Sequence, residues 1–231
     1  MATIQAAKCY GLHHLGAIAP GYQADFVVLD NLSDMNVLEV YHRGKKIIKD
    51  EKVEIRPCDP QLKNTVHLLG FRESDLCLPW REGKVHILKM LEGQIVTEDV
   101  QEEVGYTEEK GRKVFKPDGT YQKIAAVERH KNTGKIGVGI VKGFGRRGGA
   151  IASSVSHDSH NLIVIGDNDH DMYLAVQELL RTQGGYTLVE NGQVFDTLPL
   201  PIMGLMSDAG YEKVNEKLAR MIPKAHEMGI P

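Results

Sequence analysis

The sequence predicts a mixed α+β fold. Apolar runs rich in β-branched residues recur along the chain, and two segments carry apolar residues at helical spacing. Strands and helices do not alternate as strict βαβ units, which argues against a doubly wound parallel sheet. Hydrophobic residues are 42% of the 231, enough for a core and too many for global disorder.

Residues 2–10 read as a short helix ended by Gly11, which suits a C-cap. ADFVVLD follows the turn-forming Pro20-Gly21 and reads as a strand. VLEVYHRGKKIIKD reads as two strands about an Arg43-Gly44 turn. The prolines of RPCDPQ then interrupt the pattern and suggest domains at 1–57 and 58–231. Beyond them, KVHILKM and QIVTEDV flank Leu91-Glu92-Gly93 like hairpin arms, and four further strands are expected in TYQKIAAVERH, KIGVGIVKGFG, GAIASSVS and NLIVIG.

The clearest helix follows Asp167. Asn168 can cap it, Asp171 takes its third position, and Met172, Ala175, Val176, Leu179 and Leu180 form one apolar face. YTLVENGQVF is a hairpin about Asn191-Gly192. A last helix is expected from about Asp208 to about Glu227, with Tyr211, Val214, Leu218 and Met221 on one side.

A net charge of -3 gives no field that would draw in nucleic acid or an anionic membrane. Three cysteines, Cys9, Cys58 and Cys77, lack C-x-x-C spacing, which argues against a disulfide framework or a thiolate zinc site and fits a reducing cytoplasm. No apolar run approaches a membrane span, and the start has no signal-peptide pattern.

Chemistry concentrates in SSVSHDSHNLIVIGDNDHDM, where His157, Asp158, His160, Asp167, Asp169, His170 and Asp171 flank one short apolar run. Imidazoles and a carboxylate can bind zinc, iron or manganese, but a complete site needs three or four ligands in defined geometry, and no second ligand cluster is visible. The residues 157–161 are therefore expected as a polar loop or lid, able to hydrogen-bond a polar heterocycle, in preference to a plain turn. The acidic stretch after Gly166 is explained as helix capping, leaving Asp167 and His170 as weak candidates. Gly143–Gly148 matches G-x-G-x-x-G, yet no helix follows, so a glycine-rich turn is the better reading; Arg146 and Arg147 could still face a ligand or a neighbouring subunit. Glu128, Arg129 and His130, read alone, are structural.

ERHKNTGKIGVGIVKGFG, GGAIASSVSHDSHNLIVIGDNDHDM and LPLPIMGLMSD resemble the C-terminal domain of the bacterial adenine deaminases, members of the amidohydrolase superfamily. ATIQAAKCYGLHHLGAIAPGYQADFVVLD is similar to the end of an amidohydrolase barrel and its return into a small β-sandwich. The resemblance implies hydrolytic deamination of adenine to hypoxanthine and ammonia in purine salvage, with a dinuclear manganese or iron centre. It places the metal ligands in a barrel that this sequence does not contain, so the chain alone is expected to be inactive, a homo-oligomer in the cytoplasm that completes a separate catalytic barrel. It also implies that His157, Asp158 and His160 support catalysis from a loop over or beside the active site. Ser156, Asn161, Glu128, Arg129 and His130 become candidate adenine contacts, and no residue here is expected to bind the metal. The rival expectation is an inactive purine- or metal-binding, or oligomerisation, module derived from that domain.

Overall fold

A computed structural model describes residues 3–47, 59–94, 96–145 and 148–230. Cys58, Arg146, Arg147 and the end of the strand expected through residue 50 lie outside them. The chain divides into two units, Met1–Arg56 and Pro57–Pro231.

In the first unit, helix α1 (Ile4–Cys9) precedes β1 (Phe26–Leu29), β2 (Val37–His42) and β3 (Lys45–Ile47), which form an antiparallel sheet in that order. Arg43 and Gly44 have positive φ, as the tight turn between β2 and β3 demands. Neighbouring residues on a strand point to opposite faces, and Val27 and Val28 are both exposed. Both faces of this small sheet thus carry uncovered apolar surface, with Leu38 and Val40 among it.

The second unit is built on an eight-stranded sheet. Its strands are β4 (Val85–Met90), β5 (Thr97–Glu102), β8 (Tyr121–Val127), β9 (Ile136–Lys142), β10 (Gly149–Ser153), β11 (Leu162–Gly166), β12 (Gly185–Glu190) and β13 (Gln193–Pro199). They lie in the order β13-β12-β10-β11-β8-β9-β4-β5, and only β4 and β9 pair in parallel. A separate hairpin, β6 (Tyr106–Glu109) with β7 (Arg112–Phe115), was not expected from the sequence.

Helix α2 (Asp169–Thr182) starts where expected: the Asn168 side chain accepts the Asp171 amide at 2.8 Å. Its Met172, Ala175, Val176 and Leu179 pack on Ala150, Ala152, Leu162, Val164, Ala125 and Val127. Gly166 permits this approach, because a Cβ there would sit 2.6 Å from the Met172 Cγ. Helix α3 (Tyr211–Glu227) packs Val214, Leu218 and Met221 around Leu188, Leu198 and Ile151. Ala150 and Ala152 face α2 while Ile151 lies with α3, so the two helices cover opposite faces of the sheet. A third cluster, Ile87, Phe115 and Ile140, lies at the β4–β9 side.

The last helix begins at Tyr211 and not near Asp208. Gly210 has φ 87, which breaks the helical path, and the Asp208 carboxylate is drawn to Lys63 at 2.5 Å. Tyr211, expected on the apolar side, is 69% exposed at the frayed first turn. Among the described residues no helix is long and apolar enough to cross a membrane.

Candidate functional site

Strands β8 and β11 pair antiparallel, with Leu162 opposite Val127 and Gly166 opposite Lys123. The two polar stretches that flank β11 therefore lie at opposite ends of the sheet. They are roughly 14 Å apart at about 3.4 Å per residue, and the histidines and aspartates do not form one cluster.

At the first end, residues 154–161 form a loop against the end of β8. The His160 amide donates to the Ser156 carbonyl at 2.6 Å, and His160 adopts φ 51, a left-handed conformation uncommon outside glycine. The His157 and His160 rings meet edge to face with centroids 5.7 Å apart. His157 Nδ1 pairs with the Asp158 carboxylate, and both side chains are exposed. Two buried polar atoms in this loop have no hydrogen-bond partner among the described residues: His160 Nδ1 and Asn161 Oδ1. Such atoms are uncommon in native structures.

The Glu128-Arg129-His130 run carries this loop. Arg129, 1% exposed, donates from Nε to the His160 carbonyl at 2.5 Å. Its Nη1 donates to the Thr65 carbonyl at 3.1 Å and hydroxyl at 3.2 Å, and its Nη2 to the Met203 carbonyl at 3.0 Å. His130 Nε2 donates to the Ser159 carbonyl at 2.9 Å. The Glu128 carboxylate is used by its own turn: it accepts from the amides of His130, Lys131 and Thr133 at 2.5, 2.7 and 3.0 Å. Those amides hold its pKa down at about 2. Ser154, wholly buried, donates to the Gly204 carbonyl at 2.5 Å and accepts the Gly185 amide at 2.8 Å. Sequence reasoning missed Thr65, Ser154, Met203 and Gly204. The signal was that Met203 and Gly204 fall in LPLPIMGLMSD, and Ser154 in GGAIASSVSHDSHNLIVIGDNDHDM, two of the strings that carry the resemblance.

At the other end, Asp167 accepts the amides of Gly148 and Gly149, the latter at 3.0 Å. Lys123, with a side chain 6% exposed, pairs with Asp169. Burial raises the Asp169 pKa despite Lys123, and the nearby Glu109 and Glu73 add to the rise. His170 Nδ1 lies 3.1 Å from the Glu73 carboxylate, and Asp171 accepts the Gly192 amide at 2.8 Å, tying α2 to the β12–β13 turn. Glu73, Lys123, Asp167, Asp169 and His170 line a cleft of about 470 Å³ with Cys77, Phe115 and Pro117. The cleft is away from the loop.

A dinuclear manganese or iron centre does not fit here. Among the described residues no group of three or more His, Cys, Asp or Glu side chains is placed to hold a metal ion.

A family profile described as "Adenine deaminase C-terminal domain" matches residues 94–231. The chain belongs to the adenine deaminase C-terminal domain family. Residues 1–47 match the amidohydrolase family. A protein named adenine deaminase from Desulfitobacterium hafniense (strain Y51) is 50% identical over 231 residues, which cover 100% of this chain and 40% of that protein. Its namesake from Nitratidesulfovibrio vulgaris (strain DP4) is 42% identical over 98% of this chain and 40% of its own length. The namesake from Clostridium acetobutylicum is 40% identical with the same coverage. This member of the family therefore spans about 40% of the length of the curated relatives it matches.

Proposed function

We propose that the chain is the C-terminal portion of an adenine deaminase that hydrolyses adenine to hypoxanthine and ammonia. Residues 1–57 belong to the end of its amidohydrolase barrel and β-sandwich, and residues 58–231 are the domain whose 157–161 loop adjoins the active site. The uncovered apolar surface on both faces of the β1–β3 sheet supports a larger sandwich around it. None of the described side chains is assigned to the manganese or iron centre, which falls to the amidohydrolase portion. The working assembly is a cytoplasmic purine-salvage enzyme and a homo-oligomer.

The observation that carries the site assignment is the pair of unpartnered polar atoms, His160 Nδ1 and Asn161 Oδ1, in the loop that also exposes His157 and Asp158. A carboxamide oxygen suits the exocyclic amine of adenine, and an imidazole nitrogen suits a ring nitrogen or its proton. An imidazole such as that of His157, paired with the Asp158 carboxylate, is the group type that serves general acid–base chemistry. Ser156 supports the loop by its carbonyl, Arg129 and His130 back it from just beyond β8, and Glu128 holds the turn that carries them.

The test is an adenine deamination assay with added manganese or iron, using this chain with and without a separately produced amidohydrolase portion. Activity only in the mixture, reduced roughly 10- to 100-fold by His160→Ala, is the expected result. Activity from this chain alone, or no effect of His157→Ala and His160→Ala, overturns the assignment.

A further inference from the structure

Arg129 was a candidate adenine contact, but its guanidinium has no surface to offer a substrate. It is 1% exposed, and its Nε, Nη1 and Nη2 all donate to the protein itself. The acceptors come from three separate segments: Thr65, His160 and Met203. Three are main-chain carbonyls and the fourth is a hydroxyl. No carboxylate among the described residues pairs with it in an ion pair, and the cause acting on its pKa is burial, which lowers it. A buried cation left without a counter-ion is expensive, so the arrangement persists only where its geometry is required.

What the geometry secures is the backbone of His160. That residue stands at φ 51, a left-handed conformation sparsely populated outside glycine. Its carbonyl is gripped by Arg129 Nε and its amide by the Ser156 carbonyl, so both peptide groups flanking its Cα are fixed and the direction of its Cα–Cβ bond with them. The neighbouring Ser159 carbonyl is held by His130. Adjacent residues at the end of one strand thus hold adjacent carbonyls of the loop.

We infer that Arg129 is a positioning residue for His160: it fixes the 157–161 loop as a platform with the Thr65 and Met203 segments, and so sets where His160 and Asn161 stand at the adenine site. This rests on the proposed function of the loop and adds how that site is set. Lysine cannot replace it, because one ammonium cannot reach acceptors on three segments at the angles a planar guanidinium supplies.

The experiment is a double-mutant cycle on kcat/KM for adenine in the assembled enzyme. It compares the wild type, Arg129→Lys, His160→Asn and the double variant, with the full pH profile of each. Arg129→Lys is expected to lower kcat/KM roughly 10- to 100-fold, the loss that about 1 Å of misplacement produces. The double variant is expected to be no worse than His160→Asn alone and to share its pH profile. A structural role elsewhere would give additive losses. If Arg129→Lys does not fold, Thr65→Val removes the hydroxyl acceptor while keeping the chain, and a smaller loss with the same non-additivity is expected. Full additivity, or activity unchanged by Arg129→Lys while His160→Asn is impaired, overturns the inference. Activity unchanged by His160→Asn overturns the proposed function of the loop itself.

Discussion

The Glu128 carboxylate accepts both the amide and the hydroxyl of Thr133, at 3.0 and 2.9 Å, and so closes the turn between β8 and β9. With the amides of His130 and Lys131 also donating, its pKa falls to about 2. A carboxyl whose folded pKa is depressed stabilises the fold above its unfolded pKa, near 4.3, and loses that contribution as pH falls through about 2. Glu128→Gln is expected to lower Tm at neutral pH by roughly 2–4 °C, the shift that about 1 kcal/mol makes in a protein of this size. The figure is kept small because the group is partly exposed and screened. Thermal melts of both proteins should converge near pH 2, and a difference that persists there would show that the turn does not depend on the ionised carboxylate.

Asp196 is 6% exposed and accepts from Lys217 Nζ at 2.5 Å and Arg220 Nε at 2.7 Å, joining β13 to α3. Burial alone would raise its pKa, but the bonds from Lys217 and Arg220 outweigh it, and the net shift is downward. Asp196→Asn is expected to destabilise the domain by about 1–2 kcal/mol, because both cations can turn to solvent. Chemical denaturation at pH 7 measures it, and the deficit should shrink as pH is lowered through the carboxylate range. An Asp196→Asn protein as stable as the wild type at pH 7 would mean that the Lys217 and Arg220 pairs do not help to hold α3.

Lys123 and Asp169 make a pair with the lysine side chain almost fully buried. Removing one member of a buried pair strands the other, whereas replacing both removes the desolvation penalty together with the attraction. Lys123→Met is expected to cost about 2 kcal/mol, and Lys123→Met with Asp169→Asn to recover most of it. The Asp169 pKa is raised, so the folded state keeps this proton to higher pH than the unfolded chain does. Its ionisation therefore lowers stability as pH rises through that pKa. Urea titrations of the two variants decide the point; a double variant worse than the single one would show that Asp169 stabilises the fold through contacts other than Lys123.

How far the sequence discloses this structure depends on which atoms do the holding. Helix α2 is legible because its Asn168 cap and apolar face are side-chain signals, and the β12–β13 turn is legible because Asn191 and Gly192 both need positive φ. The β6–β7 hairpin is not. Its arms carry Glu108, Glu109, Arg112 and Lys113, and only Val114 and Phe115 are buried, so the apolar alternation that marks a strand is absent. In the candidate site the 157–161 loop stands out by its density of imidazole and carboxylate. Thr65, Met203 and Gly204 contribute main-chain carbonyls, which residue type does not announce.

Gly204 offers the sharpest test of how firmly Arg129 is held. A Cβ built there would lie 2.8 Å from Arg129 Nη1 and 3.0 Å from Nη2, and the residue has φ +71. The guanidinium cannot retreat without breaking its bonds to Thr65, His160 and Met203. Gly192 has a similar φ of +76, yet its Cβ would meet nothing closer than 3.9 Å. Gly192→Ala should therefore cost only the left-handed backbone penalty, about 1 kcal/mol. Gly204→Ala carries that penalty and the clash, about 2–4 kcal/mol in all. Urea unfolding followed by circular dichroism gives both values on the same protein. Equal losses at the two positions would mean that the guanidinium yields freely, and a side chain free to yield could not fix the direction of His160.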